Sequence, residues 1–401
     1  MGERWSRWVP RAVLAAGIVA VLGLTACSSG GDASDASQNG GTTSNAPEGQ
    51  AAPKPPAKIT LVPASGTANL SPVAPVRVTV ADGSIEALTL TNPAGKQVAG
   101  QLTADRTSWT IGEPLGYGKT YTWAGTAKGT DGKTAPISGS FTTVTPSGQV
   151  DASLNVGDGR TYGVAMPISV RFDRAVTDKA SVQKAMTVTT SVPTEGAWAW
   201  LDDRTAHWRP KTYWTPGTQV SLVARLYGTP FGDGEFGADD RTANFTIGRS
   251  QVVKANTQTH RLVVIRDGKQ VADFPASYGL ESDPGRVTNS GTHVVMSKHE
   301  SYSMTNPKYD YENVVVPWAV RISNNGEFIH GYAPSTWAQG KQNVSHGCAN
   351  LAPANAKVYF DSAMTGDPVE IVGSTNQLGP EDGDYYDWAI SWDQWVAKSA
   401  A

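Results

Sequence analysis

Cysteine is nearly absent: the chain of 401 residues has two, Cys27 and Cys348. A framework of several disulfides is therefore excluded. Long apolar runs are also missing, apart from Ala12 to Leu24, which is too short to span a bilayer core of roughly 30 Å at 1.5 Å per residue. Positive charge is not gathered anywhere. The formal net charge is −3 and no basic stripe occurs, which argues against nucleic acid as a partner. Helix signals are sparse. Gly 42 and Pro 25, with many Thr and Val, favour short strands and turns.

What is present begins with a leader. Arg4, Arg7 and Arg11 precede the apolar run, and Leu24-Thr25-Ala26-Cys27 closes it. Residues 1–27 resemble a bacterial lipoprotein signal with its lipobox, and that resemblance implies cleavage before Cys27 and acylation of it. An ordinary secretory leader with a chance cysteine is the other reading. Residues 28–57 are Ser, Gly, Ala, Asp, Thr, Asn and Pro with almost nothing to bury, and read as a disordered tether. The localisation expected is extracytoplasmic, lipid-anchored at the outer face of the cytoplasmic membrane.

Residues 58–148 and 149–249 alternate in strand fashion, as in Val76-Arg77-Val78-Thr79-Val80 and Pro167-Ile168-Ser169-Val170-Arg171-Phe172. They echo each other: Trp109 and Phe141-Thr142-Thr143 in the first, Trp208 and Phe245-Thr246-Ile247 in the second. The expected fold class is mainly β: two immunoglobulin-like sandwiches, then a β-rich domain over 250–374 with one or two short helices, then a Trp-bearing tail over 375–401. Spacing is the simplest role for the sandwiches. Trp198, Trp200, Trp208 and Trp214 invite a glycan-binding reading as well, although core packing explains them equally. A helix is expected from Pro353 to Met364 with Val358, Tyr359 and Met364 buried. In the tail, Trp388, Trp392 and Trp395 at i, i+4, i+7 line one face of a helical turn and are expected to pack on a neighbouring domain.

Chemistry concentrates in three residues. His330 ends the strand-like Glu327-Phe328-Ile329, and a polar loop leads to Ser345-His346-Gly347-Cys348-Ala349-Asn350. With Cys27 carrying lipid, Cys348 has no disulfide partner, and a lone thiol outside the cell is an oxidation hazard unless its sulfur is used. An imidazole beside it can take its proton and later protonate a leaving group. Gly347 lets the backbone approach a substrate, and the amides of Gly347 and Cys348 are candidate oxyanion donors. On this basis Cys348 is expected to react with iodoacetamide well below the ordinary thiol range. Other readings remain: a buried Cys348, a zinc site from His330, His346 and Cys348, or Ser345 as the nucleophile.

The stretch from His330-Gly331 to Ser345-His346-Gly347-Cys348-Ala349-Asn350 resembles the signature of the L,D-transpeptidases, with a YkuD-type catalytic domain. The lipobox, two sandwiches and Trp-bearing tail are similar to the large actinobacterial and mycobacterial members. The resemblance implies peptidoglycan stem peptides as partners. Cys348 would attack a tetrapeptide donor at meso-diaminopimelate, release D-Ala through a thioester, and pass the acyl group to a diaminopimelate amine in a 3→3 cross-link. It implies His330 as base and acid, with its ring held by the Gly331 carbonyl. Ser345, His346 and Asn350 become supporting residues, carbapenems become inhibitors, and no cofactor or metal is required. Related enzymes often carry Ser where this chain has Gly331. Tyr311, Met304 and Trp318, with Tyr309, fall in the lid region. Hydrolysis of the thioester, attachment of the wall to a protein, or a non-catalytic wall-binding module are the alternatives.

Overall fold

The computed structural model describes residues 53–383 and 385–400, so the leader and most of the tether lie outside the described residues. Within them no helix is long and apolar enough to cross a membrane.

The alternation read from the sequence becomes sheets. Lys58–Val62, Arg77–Ala81, Ser108–Ile111 and Gly100–Leu102 form one antiparallel sheet. It faces a second made of Gly83–Thr91, Thr120–Gly129 and Thr134–Thr142. Period-2 alternation sends Val76, Val78 and Val80 inward while Arg77 stays exposed. There they meet Trp109 and Trp123, whose rings pack edge to face at 5.3 Å.

The next segment has its own core. Gly196–Trp200, Thr205–Pro210, Ile168–Phe172 and Ala152–Leu154 form one four-stranded sheet; Thr161–Tyr162, Arg241–Ile247, Gln219–Ala224 and Met186–Thr190 form the other. Trp198, Trp200, Trp208 and Trp214 are all buried in it, with Trp208 stacked on Trp214 at 5.1 Å and Trp200 on Phe172 at 5.8 Å. These rings are structural, and none is free to receive a sugar. The two sandwiches are joined by reciprocal tyrosines. The Tyr117 hydroxyl donates to the Gly237 carbonyl at 2.7 Å and the Tyr227 hydroxyl to that of Leu115 at 2.6 Å.

The third region has two sheets around a shared core. Lys269–Pro275, Arg261–Arg266, Gln251–Asn256, Pro368–Val372 and Gly291–Val294 make the first. Ser297–Asn306, Tyr311–Arg321, Phe328–Gly331 and Ala349–Leu351 make the second. The helix Pro353–Ser362 starts on a proline, whose missing N–H costs nothing at the first helical position. It buries Ala356 and Tyr359; Val358, expected inside, is 57% exposed on the solvent side.

The tail is interrupted. Asp387–Ala389 is a 3-10 turn, and a separate helix, Trp392–Val396, starts at Ser391, whose Oγ accepts from the Gln394 amide. The three tryptophans do not line one helix face. Instead they surround the Arg209 guanidinium, at 4.7, 5.3 and 4.7 Å for Trp388, Trp392 and Trp395. Beside them His207 Nδ1 and Asp387 Oδ1 meet at 2.8 Å, both fully buried. The tail thus first pairs with the third region, through Gln377 and Leu378 against Ser290, and is then pinned to the second sandwich.

Candidate active site

The second sheet of the third region carries the chemistry. Phe328–Gly331 and Ala349–Leu351 pair in parallel, with His330 opposite Asn350. His330 therefore stands at a strand end and Cys348 just before the neighbouring strand. Both line one cavity of about 270 Å³, together with Met304, Tyr311, Ser345 and His346. On the other side of Cys348 lies a wider groove of about 1040 Å³. Cys348, His346, Tyr311 and Met304 border both, so the sulfur sits where the two spaces meet.

Each neighbour has a defined task. His330 Nδ1 lies 3.0 Å from the Gly331 carbonyl, which only accepts; Nδ1 is the N–H and Nε2 keeps its lone pair. A Cβ at position 331 would come within 3.1 Å of Pro317 Cγ and of Pro353 Cα. Glycine fits where a serine would crowd, and the carbonyl that holds His330 is unaffected. The Ser345 hydroxyl donates to the Cys348 carbonyl at 2.6 Å and accepts from the Gly347 amide at 3.2 Å. Arg286 donates to the carbonyls of Val344 and Ser345, fixing the approach to the motif. Asn350 exchanges backbone hydrogen bonds with Ser277, and its side-chain amide donates to Ser335 Oγ at 3.3 Å. His346 is exposed, its ring 5.2 Å from those of both Tyr309 and Tyr311.

Three sequence expectations are corrected here. The Gly347 amide is occupied by Ser345 Oγ, so of the two candidate oxyanion donors only the Cys348 amide is without a partner among the described residues. Trp318 borders neither cavity. Its ring packs on Phe360 at 5.5 Å and under Lys357, on the helix side of the sheet. The thiol, finally, is not predisposed to ionise. Burial pushes Cys348 up to about 12 and holds His330 down to about 4, so the resting pair is neutral thiol and neutral imidazole. The Sγ–H points at the Gly326 carbonyl, 3.8 Å away. Tyr311 is raised too, by burial first and then by the nearby sulfur. A zinc site has no geometry behind it, because no three His, Cys, Asp or Glu side chains converge among the described residues.

Residues that the sequence reading passed over also border the site. Thr288, Asn289, His293 and Glu327 lie behind the motif, and Glu381 and Asp382 of the tail form a wall of the wider groove. Nothing in local pattern marks them, since they reach the site through sheet pairing and through the pinned tail.

The buried His330 also makes a prediction about acid stability. Below the ordinary histidine value of 6.5 the unfolded chain takes up a proton that the folded chain refuses until about 4. Stability is therefore lost as pH falls through this window, by up to about 3 kcal/mol from this one group. Urea unfolding at pH 7 and near the bottom of the window should show it, and His330→Gln should lose less over the same interval.

Comparison with known proteins agrees with this architecture. Residues 250–371 match the L,D-transpeptidase catalytic domain (YkuD), and residues 67–230 match a bacterial Ig domain. L,D-transpeptidase 5 of Mycobacterium tuberculosis is 50% identical over 353 residues, spanning 87% of this chain and 78% of that protein. L,D-transpeptidase 2 of the same species is 37% identical over 350 residues, spanning 86% and 85%. A solved structure of the LD transpeptidase LdtMt1 in complex with imipenem is 32% identical, covers 57% of this chain and 99% of its own, and superposes with a TM-score of 0.48. The protein is thus an acyltransferase enzyme of mainly β fold. More narrowly, the chain belongs to the L,D-transpeptidases.

Proposed function

We propose that the chain forms 3→3 cross-links in peptidoglycan, with Cys348 as nucleophile and His330 as base and acid. One observation carries this: His330 and Cys348 line the same small cavity, with the His330 ring fixed by Gly331 so that Nε2 is free to take a proton. In the first half-reaction Nε2 accepts the thiol proton as sulfur bonds to the diaminopimelate carbonyl of a tetrapeptide donor. The oxyanion meets the Cys348 amide. Collapse breaks the C–N bond, and His330 returns the proton to the departing D-Ala amine. In the second half-reaction the side-chain amine of another stem attacks the thioester and loses a proton to His330, the C–S bond breaks, and His330 returns that proton to the departing sulfur. Two spaces meeting at one sulfur suit this sequence, because donor and acceptor need separate approaches. A carbapenem would be captured by the same first step, the ring amide opening in place of the peptide bond. Met304 and Tyr311 border both spaces and fit contact with substrate; His346, exposed between two tyrosines, fits an orienting role.

Incubation with a disaccharide tetrapeptide tests the reaction. A cross-linked dimer with loss of D-Ala supports transfer. Tripeptide alone means hydrolysis, and an unmodified substrate removes the proposal.

The anchor belongs to this reading too. Acylated Cys27 would hold the enzyme at the outer face of the cytoplasmic membrane, with residues 28–57 linking the anchor to the first sandwich. Cys27→Ala should move the protein from the membrane fraction to the medium when expressed in a host that processes lipoproteins. Unchanged fractionation would remove the anchor.

A further inference from the structure

Behind the nucleophile lies a buried assembly with no part in the half-reactions above. The Thr288 hydroxyl donates to the Gly347 carbonyl at 2.7 Å and accepts from the Gly279 amide at 2.8 Å. Its only proton is therefore committed to Gly347. That carbonyl and the Cys348 N–H belong to one planar trans peptide and point in opposite directions. Thr288 thus holds, from behind, the group whose other end is the free oxyanion donor. Polarising the carbonyl also strengthens that donor.

Thr288 is held in turn through Asn289. The Asn289 N–H donates to Glu327 Oε1 at 2.9 Å, and its carbonyl accepts from His293 Nε2 at 2.8 Å. Its side-chain amide donates to Asp382 Oδ1 at 2.7 Å. His293 is fully buried and Glu327 4% exposed. A carbonyl only accepts, so His293 Nε2 carries hydrogen. In a neutral ring Nδ1 would then be a bare lone pair. It faces Glu327 Oε2 at 3.6 Å, and neither atom has another partner. Two buried lone pairs face to face are costly, and one proton between them removes the cost whichever atom it rests on. Burial raises the Glu327 carboxyl in the sense that keeps this proton, against His293 and the hydrogen bonds from Asn289 and Ser323, while Asp382 adds a smaller rise.

We propose that Glu327 and His293 share one proton and act as positioning residues: they clamp both peptides of Asn289, fix Thr288, and so aim the Cys348 amide at the oxyanion. Asp382 extends the clamp to the tail, whose pinning on the second sandwich couples that domain to the geometry of the site. This rests on the catalytic reading above and goes beyond it in assigning a role to five residues outside the signature.

The test separates the oxyanion donor from the thiol. Acylation by a carbapenem, followed by intact mass, needs the donor; alkylation by iodoacetamide does not. Glu327→Ala should slow acylation about tenfold to a hundredfold without slowing alkylation, since Glu327 acts on the thiol only in the sense that raises it. Glu327→Gln should restore most of the loss, because its oxygen accepts from Asn289 and its N–H supplies the hydrogen that His293 Nδ1 faces. Should Glu327→Ala fail to fold, Thr288→Val loosens the same peptide from its other end and should give the same split. Equal slowing of both reactions, or of neither, overturns the proposal; so does a Gln variant as slow as the Ala variant. Wild-type protein that is never acylated by carbapenem or tetrapeptide overturns the catalytic reading instead.

Discussion

Cys348→Ala should abolish both cross-linking and covalent capture of a carbapenem while leaving the fold in place. The sulfur is the only atom in the site able to carry an acyl group between two stems under this mechanism. With it gone, the tetrapeptide binds beside a methyl group and no thioester forms. Little else should change. The side chain is half-buried beside the groove, and its polar contacts are with the Phe328 backbone amide and, at long range, the Gly326 carbonyl. The backbone around it is held by Ser345, Thr288 and strand pairing, none of which uses the sulfur. Unfolding should therefore shift by no more than about 1 kcal/mol. The informative partner is Ser345→Ala, which removes the acceptor for the Gly347 amide and the donor to the Cys348 carbonyl. It should slow acylation without ending it. Intact mass after incubation with a donor distinguishes the two. If Ser345→Ala ends capture and Cys348→Ala retains it, the nucleophile has been misassigned.

How far the site was legible in the sequence follows from how local each part is. Ser345 to Asn350 is a single turn entering a strand, and its hydrogen bonds run between residues two or three apart; the string could be read as a unit. His330 joined it through a strand end followed by glycine, a short-range signal. Thr288, His293 and Glu327 were invisible because their contacts span dozens of residues and depend on sheet order. Asp382 needed the tail to be pinned first. Two misreadings of the fold have physical causes of the same kind. Helical spacing placed Val358 inside, but the sheet beneath already had its apolar partners in Ala356 and Tyr359. The tail tryptophans have helical spacing by position. Ser391 nonetheless caps a new helix between them, and the rings gather around Arg209 instead.

The neutral resting pair changes what the base has to do. A preformed thiolate would be ready before substrate arrives, and open to oxidation meanwhile. A buried thiol gives up its proton only as sulfur bonds to carbon, when charge passes on to the oxyanion. Much of the rate is then placed on the donor that receives that charge. This is why the Cys348 amide and whatever aims it matter as much as the imidazole.

His330→Ala should lower the acylation rate by about 10²–10⁴, the usual worth of a positioned general base and acid. Its neighbours cannot substitute. His346 borders the same cavity but is exposed, its ring set between Tyr309 and Tyr311 and its partial burial holding it below the usual histidine value, and Tyr311 is held above its ordinary range and so is a poorer base still at neutral pH. The pH profile carries a second signature. The base must be unprotonated, and burial keeps His330 neutral down to about 4. Wild-type acylation measured against pH should stay level as pH falls through the ordinary histidine value of 6.5 and drop only near the lower figure. In His330→Ala the residual rate should instead climb with pH into the alkaline range, because only solvent is left to remove a proton from a thiol pushed up to about 12. A wild-type profile with its acid limb centred on the ordinary value would mean that the imidazole works in a wetter site than this fold provides. It would also point to lid opening before proton transfer.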